Sequence, residues 1–401
     1  MAAAPPSSTG RIHAALAPAC ERLAGRDGAI IRTQIAVSQI AAPTGNEGRR
    51  GAWIARRFTA LGLRDVHTDA AGNVIGWRDG TSGVAPVVVC AHLDTVFPGD
   101  TRLRVRHDGA RLIGPGIGDN GRGLSAMLAI AEELDGSLLR TERPVQFVAT
   151  TGEEGVGDLR GAKHLFANFD GPDPAAVIAL DGAGDDRVVS RALGSRRYRI
   201  TFHGPGGHSW AAYGVPNAVH AAGIATAKLA SIALPRSPRT TLSVCRIGGG
   251  MSVNAIPRDA WIEVDLRSTS PTAIARVDHE VRMIGYLAAE EENTRRAHAT
   301  PALRCTVSVI GDRPCGETDP EHPLVASAME ATRWIGREPE LTVASTDANV
   351  PISRGIPAIA IGAGGRGGDA HTPDEWFDNV DGPLGIARAM AIVAAAAGLV
   401  A

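Results

Sequence analysis

The sequence is poor in cysteine, and its cysteines are not arranged as metal-binding or disulfide pairs. Five cysteines occur in 401 residues, an odd number, and no two of them are spaced C-x-x-C. This pattern suggests neither a disulfide framework nor a zinc site built from thiolates. It is typical of proteins from a reducing compartment, so we expect a cytoplasmic location.

An excess of charge of one sign is also absent. The chain has 41 Lys and Arg against 43 Asp and Glu, which gives a formal net charge of -2. Binding to a polyanion usually needs a basic surface field. We therefore expect no nucleic-acid partner.

No long uncharged hydrophobic run is present either. The longest apolar stretch, residues 384–401, contains Arg388 and consists mostly of small alanines. It predicts a packed terminal helix rather than a membrane span. The start of the chain lacks the charged segment of a secretory signal and is interrupted by Pro5 and Pro6. We therefore expect neither secretion nor a membrane partner.

What the sequence does contain is an alternation of apolar runs and helix-period segments. Its length predicts about two domains. Apolar runs at residues 86–91, 144–151 and 175–180 predict strands covered on both faces, and residues 120–134 predict a helix. This alternation is typical of βαβ units, so the predicted class is α/β, with a mainly parallel central sheet and helices on both faces.

The pattern changes in the middle of the chain. The order there is strand, helix, strand, strand, helix, strand, at residues 197–202, 217–232, 241–247, 260–266, 271–291 and 303–310. This is the order of a ferredoxin-like α+β unit. A helix at 322–335 and a strand at 356–361 then resume the first pattern. We predict one discontinuous domain, residues 1–195 and 311–401, with residues 196–310 inserted into it.

Acidic and histidine side chains stand at the ends of three predicted strands of the discontinuous domain, in the glycine-rich loop before the helix at 120–134, and in the loop after the last strand. They are His92, Asp94, Asp119, Glu153, Glu154, Asp181 and His371. The carboxyl ends of strands in an α/β sheet share one edge, so these side chains are expected to converge. His, Asp and Glu without Cys form the ligand set of an open, hydrolytic divalent metal site.

Taken singly, each of these positions has a plainer explanation. An isolated histidine such as His92 at the end of a strand is more often a hydrogen-bonded structural residue. Asp119, directly before a predicted helix, suits an N-cap. Only the joint pattern favours a metal site.

The ordered set of seven residues, together with the insertion, resembles the M20 family of co-catalytic zinc peptidases and amidohydrolases. That family includes aminoacylase, carboxypeptidase G and tripeptidase T-like enzymes. The segment Ser345-Thr-Asp-Ala-Asn349 and the glycines that follow it are most similar to the tripeptidase T side. The resemblance covers nearly the whole chain and implies a zinc-exopeptidase-like domain with an inserted lid.

The resemblance also implies roles for these residues. His92 and Asp181 would hold one metal, Glu154 and His371 the other, and Asp119 would bridge both. Asp94 would fix the tautomer of His92 from behind, and Glu153 would be the general base. The peptide bond between Asp119 and Asn120 would be cis. The two divalent ions would be zinc, with manganese or cobalt as alternatives.

The inserted domain carries the residues that the resemblance assigns to the substrate. These are His208, Asn254 and Arg267. Arg267 and Asn254 suit a substrate carboxylate, since a guanidinium pairs with a carboxylate in bidentate geometry. His208 would reach the active site of the other subunit in a homodimer formed through the lids. Aromatic residues are only 4% of the chain, although Trp210 and Trp376 flank proposed site residues.

Three functions remain open from the sequence. The first is hydrolysis of an amide or peptide bond in a small carboxylate-bearing substrate by a metal-bound hydroxide. The second keeps the metals but releases ammonia from an activated amine, such as an electron-poor arylamine. The third is a non-catalytic binding protein on the same fold.

Overall fold

The computed structural model describes residues 8–135, 138–297 and 300–400. The chain divides into two compact units. The first unit consists of Met1–Ala192 together with Glu317–Ala401, and the second is Leu193–Gly316. The inserted domain predicted at residues 196–310 lies inside the second unit.

The helices and strands of the described residues have the following bounds. The helices are α1 (Ser8–Gly25), α2 (Asp27–Ser38), α3 (Gly48–Ala60), α4 (Gly121–Glu133), α5 (Arg160–Ala167), α6 (Ala218–Ala230), α7 (Pro271–Asn293), α8 (Pro323–Trp334), α9 (Asn349–Ser353) and α10 (Gly382–Ala397). The strands are β1 (Arg64–Thr68), β2 (Val74–Arg78), β3 (Val87–His92), β4 (Arg106–Asp108), β5 (Arg111–Ile113), β6 (Arg140–Thr141), β7 (Val145–Thr150), β8 (Ala176–Leu180), β9 (Arg187–Ala192), β10 (Gly194–His203), β11 (Gly207–His208), β12 (Thr240–Gly249), β13 (Ala255–Ile256), β14 (Asp259–Ser268), β15 (Arg304–Arg313), β16 (Gly316–Glu317), β17 (Glu340–Ala344), β18 (Ala358–Ile361), β19 (Arg366–Gly368), β20 (Trp376–Asp378) and β21 (Leu399–Val400).

The first unit is built on a mixed sheet with the strand order β1-β2-β7-β3-β8-β18-β9, and β17 adds to β9. The four central strands, β7, β3, β8 and β18, run parallel to one another. Strands β1, β2 and β9 join antiparallel to their inner neighbours. The predicted α/β class with a mainly parallel central sheet is therefore confirmed.

Strand β3 shows why this sheet is covered on both faces. Val87 and Val89 point into a core shared with α4 and α10, whereas Val88 and Cys90 point into a second core shared with α5 and α9. Successive side chains of a strand point to opposite faces, so an unbroken apolar run serves two cores at once. The sheet is thus fixed on both sides up to the strand ends, where the polar residues begin.

The end of the chain differs in part from its prediction. Helix α10 is buried as expected, but it stops at Ala397, and β21 then pairs with β6. Gly398, with a φ of +72°, lies at the change of direction. Ala401 lies outside the described residues. Among the described helices, none combines the length and the apolar character needed to cross a bilayer.

The second unit has an antiparallel sheet with the strand order β12-β14-β10-β15. Helices α6 and α7 supply the apolar partners of one face, into which Tyr198, Ile200 and Phe202 of β10 are buried. The residues between them, such as Arg197 and Arg199, are only partly buried. This alternation is typical of an antiparallel sheet covered on one face. The element order and the strand order are those of a ferredoxin-like α+β unit.

Candidate metal centre

Five of the predicted site residues meet in the first unit, and each comes from a different segment. His92 is the last residue of β3, and Asp181 directly follows β8. Asp119 lies in the loop before α4, Glu154 follows β7, and His371 lies between β19 and β20. The strand ends share one edge of the sheet, so residues far apart in sequence become neighbours there.

Asp119 lies at the centre of this group. Its Oδ1 is 2.8 Å from Nε2 of His92, and its Oδ2 is 3.2 Å from Nε2 of His371. The same nitrogen of His92 is 3.9 Å from a carboxylate oxygen of Asp181. On the other side, Nε2 of His371 is 2.9 Å from Oε1 of Glu154. The two oxygens of one carboxylate therefore face two separate His-carboxylate pairs.

The donor atoms are close enough to bind a cation. One ligand atom each from His92, Asp119 and Glu154 lies within 4.8 Å of the others. Oδ1 of Asp119 is buried, and no donor among the described residues is aligned with it for a hydrogen bond. Imidazole and carboxylate donors suit zinc, manganese and cobalt alike. The described residues thus form a His-Asp-Glu metal site.

The pKa values in this group show that it stabilises positive charge at its centre. Burial alone would lower the pKa of His92, yet the contact with Asp119 and the neighbouring carboxylates raise it well above its usual value. The contact with Asp119 also raises the pKa of His371 to about 9. Burial opposes the charge on Asp119, but the contacts from His371 and His92 hold the pKa of its carboxyl well below the usual range.

Asp181 shows the opposite effect. Burial raises the pKa of its carboxyl to about 7, and the negative charge of Asp119 adds to the increase. Like charges at close range cannot all be stable without a cation or a proton among them. The donor set therefore fits a site for divalent cations.

Asp94 contacts His92 in a different way from the one expected. Nδ1 of His92 is 3.0 Å from the backbone oxygen of Asp94 and 3.7 Å from its nearer carboxylate oxygen. The carboxylate instead accepts backbone N–H groups from Glu153 at 2.9 Å and Glu154 at 3.0 Å, and the hydroxyl of Thr44 at 2.9 Å. Asp94 thus holds the segment after β7, while its carbonyl orients the imidazole.

Glu153 lies beside the cluster and is 5% exposed. Its negative charge is among those that raise the pKa of His92. Its backbone is fixed by the bond to Asp94 described above, so two adjacent glutamates leave the same strand end in fixed positions.

Two residues that the sequence reading did not assign support the loop of Asp119. Asn120 is buried and caps α4, since its side-chain oxygen accepts the N–H of Gly123 at 3.0 Å. The same side chain also bonds the two neighbours of Asp181 in the sequence: it donates to Leu180 O at 2.8 Å and accepts the N–H of Gly182 at 3.1 Å. Glu375 accepts backbone N–H groups from the same loop. Burial raises the pKa of Glu375 to about 7, against the effect of those N–H groups. The expected cis peptide bond between Asp119 and Asn120 is present.

A cavity of about 210 Å³ opens beside Asp119 and Asp181. Its other walls include Arg187 and Trp376, so Trp376 lies next to the candidate centre. The face of its indole ring is covered by the guanidinium of Arg111 at 3.9 Å. That face of the ring is therefore not open for stacking.

The residues expected to bind substrate all belong to the second unit. His208 ends β11, and Asn254 directly precedes β13 in the same two-stranded ribbon. Both residues are exposed, and Ser209 N donates to Asn254 O at 2.9 Å. Nδ1 of His208 accepts the N–H of Trp210 at 3.2 Å. Arg267 on β14 is half-buried and bonds Asp265 at 2.6 Å. The ribbon brings His208 and Asn254 together, and Arg267 sits on a separate strand.

The chain matches a known family over most of its length. Residues 88–397 match the family model of peptidase family M20/M25/M40. The Bacillus subtilis (strain 168) protein YqjE is 26% identical over 358 residues, which are 84% of this chain and 90% of the relative. An N-carbamoyl-L-amino acid amidohydrolase from Geobacillus stearothermophilus is 23% identical over 394 residues, covering 85% of this chain and 89% of the relative.

A solved structure shares the fold. The crystal structure of a tripeptidase from Staphylococcus aureus gives a TM-score of 0.75 at 23% sequence identity, covering 92% of this chain and 98% of that one. The resemblance drawn from the site residues is thereby confirmed. The chain belongs to peptidase family M20/M25/M40, and it is a hydrolase of the metal-dependent class that acts on C–N bonds.

Proposed function

We propose that this enzyme hydrolyses an amide or peptide bond in a small substrate that carries a free carboxylate, using two divalent metal ions. The observation that carries the proposal is the position of Asp119, whose two carboxylate oxygens face His92 on one side and His371 on the other. A carboxylate that lies between two half-sites suits a centre in which two metal ions lie close together and act on one substrate.

The proposal divides the ligands between two half-sites. His92 and Asp181 would hold one ion, Glu154 and His371 the other, and Asp119 both. When bound, the ions supply Lewis acidity that lowers the pKa of water and polarises a carbonyl group. Zinc is the proposed metal, although manganese and cobalt accept the same donors.

Glu153 is the proposed general base. Its neighbour Glu154 is engaged with His371 at 2.9 Å, which leaves Glu153 as the carboxylate of this pair that is not assigned to a metal. It would take a proton from the attacking water and give it to the departing nitrogen. Such positioned proton transfer contributes about 10² to 10⁴ to the rate.

The second unit supplies the proposed substrate contacts. Arg267 and Asn254 would bind the carboxylate of the substrate, and His208 would contact the scissile carbonyl. Support comes from the relatives, since one is named as a tripeptidase and another as an N-carbamoyl-L-amino acid amidohydrolase. Both names describe small substrates derived from amino acids.

We further propose that the enzyme is a homodimer formed through the second unit. Strand β15 is an edge of its sheet and exposes Val309 and Ile310. Helix α7, which packs on the same sheet, exposes Met283, Tyr286 and Leu287. An edge strand with exposed apolar side chains is suited to pairing with a second copy. Sedimentation that finds only monomers at working concentration would contradict this part of the proposal.

The variants Glu153→Gln and Glu154→Gln test the catalytic assignment. Both would be assayed for bound metal and for amine release from dipeptides, tripeptides, N-carbamoyl and N-acyl amino acids, with ammonia measured separately from an arylamine panel. Glu153→Gln should keep both metals and lose about 10² to 10⁴ in kcat. Glu154→Gln should lose metal as well.

Three outcomes would contradict the proposal. Full activity of Glu153→Gln would show that Glu153 is not the general base. A wild-type enzyme that binds no divalent metal would show that the proposed metal centre does not exist. Turnover of arylamines to ammonia, without turnover of amides, would favour deamination.

A further inference from the structure

Glu375 is a buried carboxylate with no role in the chemistry described above. It lies four residues after His371 and is 2% exposed. Its Oε1 accepts the N–H of Gly118 at 2.8 Å and of Asp119 at 2.7 Å, and its Oε2 accepts the N–H of Gly116 at 2.8 Å. All three donors belong to the loop that carries Asp119.

These three bonds fix the path of the loop. Hydrogen bonds to a carboxylate are shorter and stronger than those between neutral groups. Gly116 has a φ of +70°, a conformation that L side chains rarely adopt. At Gly118 an added Cβ would lie 3.0 Å from Oε1 of Glu375, so glycine lets this oxygen approach the backbone. The loop is therefore shaped around the carboxylate.

Glu375 and His371 lie together in the segment between β19 and β20. His371 and Asp119 are 252 positions apart in the chain, yet Nε2 of one is 3.2 Å from Oδ2 of the other. Glu375 accepts the backbone N–H of Asp119 itself. Residues 371–375 therefore supply one candidate ligand, His371, at their start and hold the other, Asp119, through Glu375 at their end. Asp94 does the equivalent for the backbone of Glu153 and Glu154.

We propose that Glu375 is a positioning residue, which holds the Asp119 loop so that the two carboxylate oxygens of Asp119 face His92 and His371 at once. This inference rests on the proposed role of Asp119 as the bridging metal ligand. Residues that orient metal ligands typically change metal affinity or activity by about 10- to 100-fold when they are replaced.

The test compares Glu375→Ala and Glu375→Gln with Glu133→Gln as a matched control. Glu133 is a fully buried glutamate of the same unit that bonds Arg22 at 2.8 Å and Arg26 at 3.0 Å, and it is not part of the candidate centre. Zn²⁺ and Co²⁺ affinity would be measured by chelator competition and calorimetry, and stability by urea denaturation of the metal-free proteins. These readouts do not depend on knowing the substrate.

We expect Glu375→Ala to bind the metals about 10- to 100-fold more weakly. Glu375→Gln should fall between Glu375→Ala and the wild type, because its remaining oxygen can still accept the Gly118 and Asp119 N–H groups while its amide faces the N–H of Gly116. Glu133→Gln should lose stability but keep wild-type metal affinity. The Co²⁺ absorption spectrum of Glu375→Ala should change, because the geometry at the bridge is altered.

Two results would overturn the inference without touching the proposed function. One is that Glu375→Ala binds two metals as tightly as the wild-type enzyme does. The other is an equal loss of affinity in Glu133→Gln, which would show that general destabilisation is sufficient. If Glu375→Ala does not fold, the metal affinities of Glu375→Gln and Glu133→Gln are compared instead. Weaker binding in Glu375→Gln alone would support the inference, and equal affinities would overturn it. A wild-type enzyme that binds no metal would instead refute the proposed function.

Discussion

The two units differ in the construction of their sheets and in how they hold their candidate site residues. The first unit has a mainly parallel sheet covered on both faces. Of its candidate ligands, His92 and Glu154 are buried, at 2% and 6% exposure, Asp119 and Asp181 are partly buried, and only His371 is exposed. The second unit has an antiparallel sheet covered on one face, and His208 and Asn254 are exposed. His92, Asp119, Glu154 and His371 of the first unit contact one another across distant segments, whereas His208 and Asn254 bond mainly their own ribbon.

This difference suits two different tasks. A metal site needs donor atoms fixed before the metal arrives, because every carboxylate or imidazole that must be reoriented costs affinity. A substrate-binding surface needs polar groups that a ligand can reach. Under the proposed function, the buried donors of the first unit suit metal binding and the exposed polar groups of the second suit contact with a substrate.

Removing the central carboxylate should have the largest effect. Asp119→Ala deletes the contacts to both His92 and His371, so we expect loss of metal and a fall in kcat/KM of at least about 10⁴-fold, since both water activation and proton transfer depend on the metals. Metal content and steady-state kinetics would measure this. A variant that keeps both metals would show that the two half-sites are independent of Asp119.

Truncating one core phenylalanine in each unit should destabilise both units but weaken metal binding only in the first. Phe147 in β7 and Phe202 in β10 are both fully buried, and replacing either with Ala should cost about 3 to 5 kcal/mol of unfolding free energy. Because β7 leads directly to Glu153 and Glu154, Phe147→Ala should also weaken metal binding. Phe202→Ala should leave metal binding unchanged. The measurements are urea denaturation and metal titration, and equal metal loss in both variants would argue against the distinction drawn here.

Replacing the proposed carboxylate-binding arginine should affect substrate affinity rather than chemistry. A hydrogen bond to a charged group contributes about 1.5 to 3 kcal/mol, so Arg267→Ala should raise KM by roughly 10- to 150-fold with a smaller change in kcat. Arg246→Ala is the control, since Arg246 is an exposed arginine of the same sheet that pairs with Glu263 at 2.8 Å. An unchanged KM in Arg267→Ala would show that Arg267 does not bind the carboxylate of the substrate.

The smallest effect is expected from a comparison of two helix caps. Asn217 caps α6 through the N–H groups of Val219 and His220, and Asn217→Ala should cost about 0.5 to 2 kcal/mol of stability without changing metal affinity. Asn120→Ala removes a similar cap from α4 and also the bonds beside Asp181, so it should weaken metal binding in addition. Thermal denaturation and metal titration of both variants would test this. Equal metal affinities would mean that Asn120 is only a cap.

The sequence allowed the central strands, the helices α4, α6, α7 and α8 and the order of the second unit to be predicted, because apolar periodicity records which faces are buried. Short elements such as β4, β5 and β19 were not predicted. They carry little hydrophobic pattern and are held by pairing with distant strands, as β20 is with β5. The strand that follows α10 was missed for the same reason.

The candidate site shows the same division. His92, Asp119, Glu154, Asp181 and His371 could be named from their places at strand ends and from family resemblance. Glu375 and Asn120 could not be assigned, since an acid four residues after a histidine has no distinctive pattern. The contact of His92 with the backbone of Asp94, rather than with its carboxylate, was also beyond the sequence, because it depends on where the N–H groups of Glu153 and Glu154 point.

The sequence by itself determined which residues could serve as metal donors and which segments are buried, because donor chemistry and apolar periodicity are properties of the residues and their spacing. Only the tertiary structure decided that both oxygens of Asp119 face imidazoles, and that Glu375 and Asn120 hold its loop. Those contacts join residues from 27 to more than 250 positions apart in the sequence. Residues so far apart become neighbours only when folding brings their loops together at the edge of the sheet.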